Sequence, residues 1–142
     1  MEFKDRVLLK LRDMEKYVEE LEEFVPSDIP KYKKNLMVKR SCEKTAELVI
    51  EAALDVVAMI VSKKKLGIPQ NEDDLIQLLI DNNVVSSALG KKLKQMKGFR
   101  NLLVHKYGTV DDDKSYQYFA GELGDFGQFS REIKCYLQKA EQ

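Results

Sequence analysis

Histidine is almost missing from this sequence: His105 is the single one among 142 residues. Tryptophan is absent, and there are two cysteines, three prolines and seven glycines. One His with two dispersed thiols, Cys42 and Cys135, offers no cluster of the kind that holds a zinc ion, so no metal is expected. Each cysteine sits inside an amphipathic pattern, which predicts two buried structural thiols. No apolar run approaches the roughly 18 residues of a bilayer-spanning helix. The start, Met1-Glu2-Phe3-Lys4-Asp5, carries acids and lacks a signal-peptide core. A soluble cytoplasmic protein without membrane attachment is therefore expected. An excess of either charge is missing too: 24 Lys and Arg balance 24 Asp and Glu. The field of the whole molecule will not draw in nucleic acid, and any affinity for a polyanion must come from a local patch.

What remains is a chain of 34% charged and 44% hydrophobic residues, long enough for one domain over residues 1–142. The shortage of glycine and proline suits a helical bundle. Val7, Leu8, Leu11, Met14, Val18, Leu21 and Val25 repeat at helical spacing, predicting a first helix that Pro26-Ser27-Asp28-Ile29-Pro30 ends. A second helix is predicted from after Pro30 to about Lys65, apolar around much of its circumference from Ala46 to Val61 and so central. Asn71 with Glu72, Asp73 and Asp74 makes a capped, acidic start for a short third helix reaching Asn82. Ser86 or Ser87 can cap a fourth, ending near Gly108, and one of Asp111, Asp112 and Asp113 a fifth, from about Lys114 to Lys139. Gly121, Gly124 and Gly127 lower helix propensity there, by allowing close packing or by marking a break. The expectation is all-α: five helices on a long up-down core.

The fourth helix holds Arg100-Asn101-Leu102-Leu103-Val104-His105-Lys106-Tyr107. With Arg100 at 0°, Asn101, Val104, His105 and Tyr107 fall at about 100°, 40°, 140° and 340° around the axis. Phe99, Leu102, Leu103 and Met96 fill a separate arc expected to face the core. Asn101 and His105 are i,i+4 neighbours. These residues suit metal-free RNA cleavage. Attack by a ribose 2′-hydroxyl on the adjacent phosphate needs a base that titrates near neutrality, which His105 supplies. The charge that develops on the phosphate oxygens needs a fixed cation, and Arg100 offers a planar fork of donors. Asn101 can orient the imidazole or contact phosphate. For an isolated Arg and His the ordinary alternative is a surface cation and a histidine favouring the helix C-terminus.

The R-x-x-x-x-H-x-Y pattern in a helical chain resembles the HepT branch of the HEPN superfamily. The likeness extends over the long second helix, from Lys39-Arg40-Ser41-Cys42-Glu43-Lys44-Thr45 through Glu51-Ala52-Ala53-Leu54-Asp55. It implies a metal-independent endoribonuclease toxin without cofactor, with RNA, including transfer RNA, as substrate. Arg100 and His105 become its catalytic pair, with Asn101 the polar residue after the Arg. It implies a homodimer or an assembly of dimers, with both motif helices lining one cleft. It also implies an MntA-type nucleotidyltransferase antitoxin that silences the toxin by moving AMP from ATP onto Tyr107. The alternative within the same superfamily is a non-catalytic subunit that binds a nucleotide or a partner.

Around the motif, Lys91, Lys92, Lys94, Lys97 and Lys106 lie in a stretch without an acid. Lys94, Lys97 and Lys106 are the candidate RNA contacts, against the ordinary reading of a solvated helix face. Lys31, Lys33, Lys34, Lys39 and Arg40 form a second such cluster, read mainly as surface. Tyr32, Phe99, Tyr116 and Tyr118 are expected to pack rather than stack on bases.

Overall fold

The computed structural model describes residues 1–105 and 111–140, and every regular element among them is an α-helix. In chain order they are α1 (Phe3–Phe24), α2 (Ile29–Lys34), α3 (Leu36–Lys64), α4 (Glu72–Asp81), α5 (Ser87–His105), α6 (Asp112–Gly121) and α7 (Gly124–Ala140). Seven helices among the described residues replace the five expected, and both extra ends have local causes. Asn35 turns extended between Lys34 and Leu36, and its side chain accepts the Val38 N–H at 3.1 Å, so α3 starts afresh there. The segment from Pro26 does end α1, but the next helix begins before Pro30 and not after it: Pro30 sits in the first turn of α2, behind the Asp28 cap, where a missing N–H costs nothing. The expected last helix breaks between Gly121 and Gly124. A Cβ at either glycine would meet nothing within 4 Å, so the pair marks a break and not a close contact.

Helices α1 and α3 run antiparallel along each other. The Phe3 ring lies under Lys64 Nζ at 6.0 Å, Lys10 pairs with Asp55 at 3.1 Å, and Leu21 packs with Cys42 and Ala46. Val7, Leu11 and Met14 meet Val49, Ile50, Ala53, Val56, Val57 and Ile60, all almost completely withdrawn from solvent. The apolar circumference of α3 is thus used on several sides, as its sequence predicts. Each fully buried side chain of this size contributes on the order of 2 kcal/mol, which sets the scale of the core's stabilisation. Ser130 and Lys134 of α7 reach Glu15 of α1, and Tyr116 of α6 donates to the Pro26 carbonyl at 2.8 Å. No helix among the described residues is long and apolar enough to cross a membrane.

Candidate active site

The motif helix begins at a built corner. Ser86 Oγ accepts the Leu89 N–H at 3.1 Å, while Glu132 of α7 accepts both the Ser86 N–H and its hydroxyl. Leu89, Leu93, Met96 and Leu103 then bury one side of α5. Leu102, expected in the core arc, is 43% exposed, and Val104 is 42% exposed. The apolar arc is therefore narrower than the wheel suggests, and Leu102, at its edge, faces outward beside Asn101 and His105.

Helix α4 lies antiparallel on the flank of α5 that carries the cations. Arg100 Nη2 donates to Glu72 Oε1, Lys97 Nζ lies 2.9 Å from Asp73 Oδ1, and Lys94 Nζ donates to Gln77 Oε1 at 2.8 Å. The register is fixed from the N-terminus of α4, where Asn71 Oδ1 accepts the Asp74 N–H at 2.9 Å and Asp74 Oδ2 accepts the Gln70 N–H. Arg100, Lys97 and Lys94 are thus brought to one neighbouring helix, although their angular spread on the wheel did not require it. Two of the three face a carboxylate. Lys92 does as well, with Asp125 at 3.3 Å, so the acid-free stretch of sequence is partly neutralised in space.

Arg100 is more enclosed than Lys97 or Lys92, its side chain 16% exposed, and its Nε is buried with no hydrogen-bond partner among the described residues. A guanidinium carries five donors, and the bond to Glu72 engages Nη2 alone. Asn101 is half-buried, and His105, the last described residue of α5, is exposed. Lys106 and Tyr107 lie outside the described residues. Glu72 was visible in the sequence only as an acid suited to the helix dipole. Its contact with Arg100 depends on the α4–α5 register, which no local pattern encodes.

The opposite flank of α5 opens on a cavity of about 540 Å³ with Phe99, Leu102 and Tyr118 in its wall. Phe99 and Tyr118 stack at 4.4 Å and 16°, and Tyr32 is buried against Tyr116 and Phe119, so these aromatics pack as expected. The Tyr118 hydroxyl is buried without a partner among the described residues, and loss of hydration pushes its pKa up. Cys42 is buried, with its thiol pushed up to about 11 by desolvation and then by Glu43. Cys135 is exposed, against the expectation of two buried thiols: it falls on the outer side of α7, away from Phe129, Ile133 and Leu137.

Known proteins resemble this chain in sequence and in fold. The "mRNA nuclease HepT" of Shewanella oneidensis is 29% identical over 131 residues, covering 92% of this chain and 98% of the relative. The "tRNA nuclease HepT" of Aphanizomenon flos-aquae is 24% identical, covering 89% and 86%. The solved structure of a tri-AMPylated Shewanella oneidensis HEPN toxin, in complex with an MNT antitoxin, superposes with a TM-score of 0.86. It is 29% identical and covers 95% of this chain and 99% of that one. The sequence profile described as "Ribonuclease HepT-like" matches residues 14–133. Endoribonuclease is the enzyme class that this family carries, and the chain belongs to it: it is a member of the ribonuclease HepT-like family.

Proposed function

We propose that this chain is the metal-independent endoribonuclease toxin of a toxin–antitoxin pair, cutting RNA with Arg100 on the phosphate and His105 as acid and base. One observation carries the reading. Arg100 is an enclosed guanidinium held by one carboxylate through Nη2, on the same helix as Asn101 and an exposed His105, in a chain of a ribonuclease family. His105 takes the proton of the ribose 2′-hydroxyl, whose oxygen attacks phosphorus. Arg100 receives the charge growing on the non-bridging oxygens, and the 5′-oxygen leaves with a proton. Asn101 orients the imidazole from one turn away. Lys94 and Lys97, together with Lys106, hold the flanking phosphates; the first two do so from the edge of the α4–α5 pair.

A second copy of the chain completes the cleft. Leu102 is an exposed apolar side chain on the face of α5 that carries His105, and a Cβ at Gly98, one turn before Leu102, would meet nothing within 4 Å. Such a surface suits close approach by the same helix of another protomer. The two Shewanella proteins are a nuclease and a toxin solved with its antitoxin, AMP-modified. On that likeness, a nucleotidyltransferase of the MntA type is the partner here, and Tyr107 is its target. The phenol oxygen bonds to the α-phosphorus of ATP and pyrophosphate leaves.

A short RNA with one 2′-deoxy sugar at the cut position tests the chemistry. The expected result is a 2′,3′-cyclic phosphate end from the all-ribose strand and no cut at the deoxy position. Cleavage there would overturn the mechanism. Incubation with the nucleotidyltransferase and ATP should add AMP mass to the wild type, with loss of that gain in Tyr107→Phe.

A further inference from the structure

We propose that Glu72 is the positioning residue for Arg100, so that the first turn of α4 belongs to the catalytic apparatus. The inference rests on the reading of Arg100 as the phosphate-binding cation and adds the group that aims it. An unrestrained arginine on a helix surface samples many rotamers, and a cation must be in place when charge develops. Glu72 Oε1 accepts from Nη2 of Arg100 and from no other nitrogen of that guanidinium. The guanidinium carries five donors, so this single contact leaves the other terminal nitrogen, Nη1, for an oxyanion.

Glu72 is itself held in place. The Asn71 cap and the Asp74 bond to Gln70 fix its turn, and the Asp73–Lys97 and Gln77–Lys94 contacts fix α4 along α5. At the far end of the pair the backbone at Gly90 lies directly against Ile80. The carboxylate also cancels part of the guanidinium's field, so it weakens ground-state attraction for RNA while it fixes the fork. These two effects separate in kinetics. Removing Glu72 lowers kcat and leaves KM unchanged or lower, because an acid beside the polyanion is gone. Loss of fold would instead move the melting temperature and reduce the fraction of active enzyme.

The test is a double-mutant cycle, with the full chain in single-turnover reactions on an RNA oligonucleotide, enzyme in excess. Glu72→Ala is expected to slow the saturated cleavage step by about 10- to 100-fold, with a half-saturating enzyme concentration no higher than wild type. Glu72→Gln, which keeps an acceptor oxygen of the same shape, should recover part of the rate. In an Arg100→Ala background, Glu72→Ala should have no further effect, because its role passes through the missing guanidinium. An unchanged or faster Glu72→Ala enzyme, or full additivity in the cycle, would overturn the assignment while leaving Arg100 in its role. An Arg100→Ala enzyme as fast as wild type would overturn both readings together.

Discussion

Gly90 of α5 and Ile80 of α4 are in such close contact that a Cβ added at position 90 would lie 2.3 Å from Ile80 Cδ1. That approach lets the two helices close on each other and places the acidic turn of α4 beside Arg100. Ile80 Cγ1 would also be only 2.5 Å from the new carbon, so rotation of the terminal methyl cannot relieve the clash. Gly90→Ala is therefore expected to destabilise the fold by about 1–3 kcal/mol, despite a better helix propensity. Thermal unfolding should show a lower midpoint, with partial recovery in Gly90→Ala/Ile80→Ala. A midpoint equal to or above wild type would refute the close packing.

The lysines facing α4 should differ in their effect on RNA binding. Lys97 is compensated by Asp73, while Lys94 faces the neutral amide of Gln77. With an uncleavable 2′-O-methyl RNA, Lys94→Ala should reduce the slope of log K against log salt by about 0.7, the value for one phosphate contact on a single strand. Lys97→Ala should reduce it less, and Asp73→Asn should tighten binding. Identical slopes for wild type and Lys94→Ala would remove Lys94 from the RNA path.

Much of this was legible in the sequence because it is local. Asn71, Ser86 and Asp111 were readable as caps, and each accepts N–H bonds in the first turn of its helix. The buried face of α3 followed from apolar periodicity. Asn35 was missed as a cap because lysines on one side and apolar residues on the other look continuous with a longer helix. Leu102 was misplaced because a wheel gives angles and not the width of the neighbouring surface. The Arg100–Glu72 contact was out of reach for a different reason: it joins residues 28 apart, and only the packed register of α4 on α5 creates it.

Leu102 carries a prediction of its own. If a second protomer covers this exposed residue, Leu102→Glu buries a charge at the interface and should convert a dimer to a monomer. Light scattering after size exclusion reads the mass, and cleavage should fall at least about tenfold in the same preparation, as one hot-spot contact is worth roughly 2 kcal/mol. A Leu102→Glu protein that stays dimeric would place the interface elsewhere.

The two thiols should behave as opposites. Cys135 is exposed, so a thiol reagent should modify one cysteine per folded chain and two after unfolding. Burial raises the Cys42 thiol to about 11, so the folded chain holds this proton more tightly than the unfolded chain does. The resulting stability is fully present below the ordinary thiol range and is lost as pH rises towards 11. Melting midpoints should fall across that interval, less steeply in Cys42→Ala. Equal slopes for the two proteins would contradict the assignment.

The central claim is that His105 cleaves RNA without a metal ion, and the direct measurement compares wild type with His105→Ala on RNA in excess EDTA. Wild type should cut under chelation, and His105→Ala should lose activity by about 100-fold or more, the scale of general acid–base catalysis. Equal cleavage by the two proteins, or wild-type cleavage that stops in EDTA and returns with a divalent cation, would contradict the account.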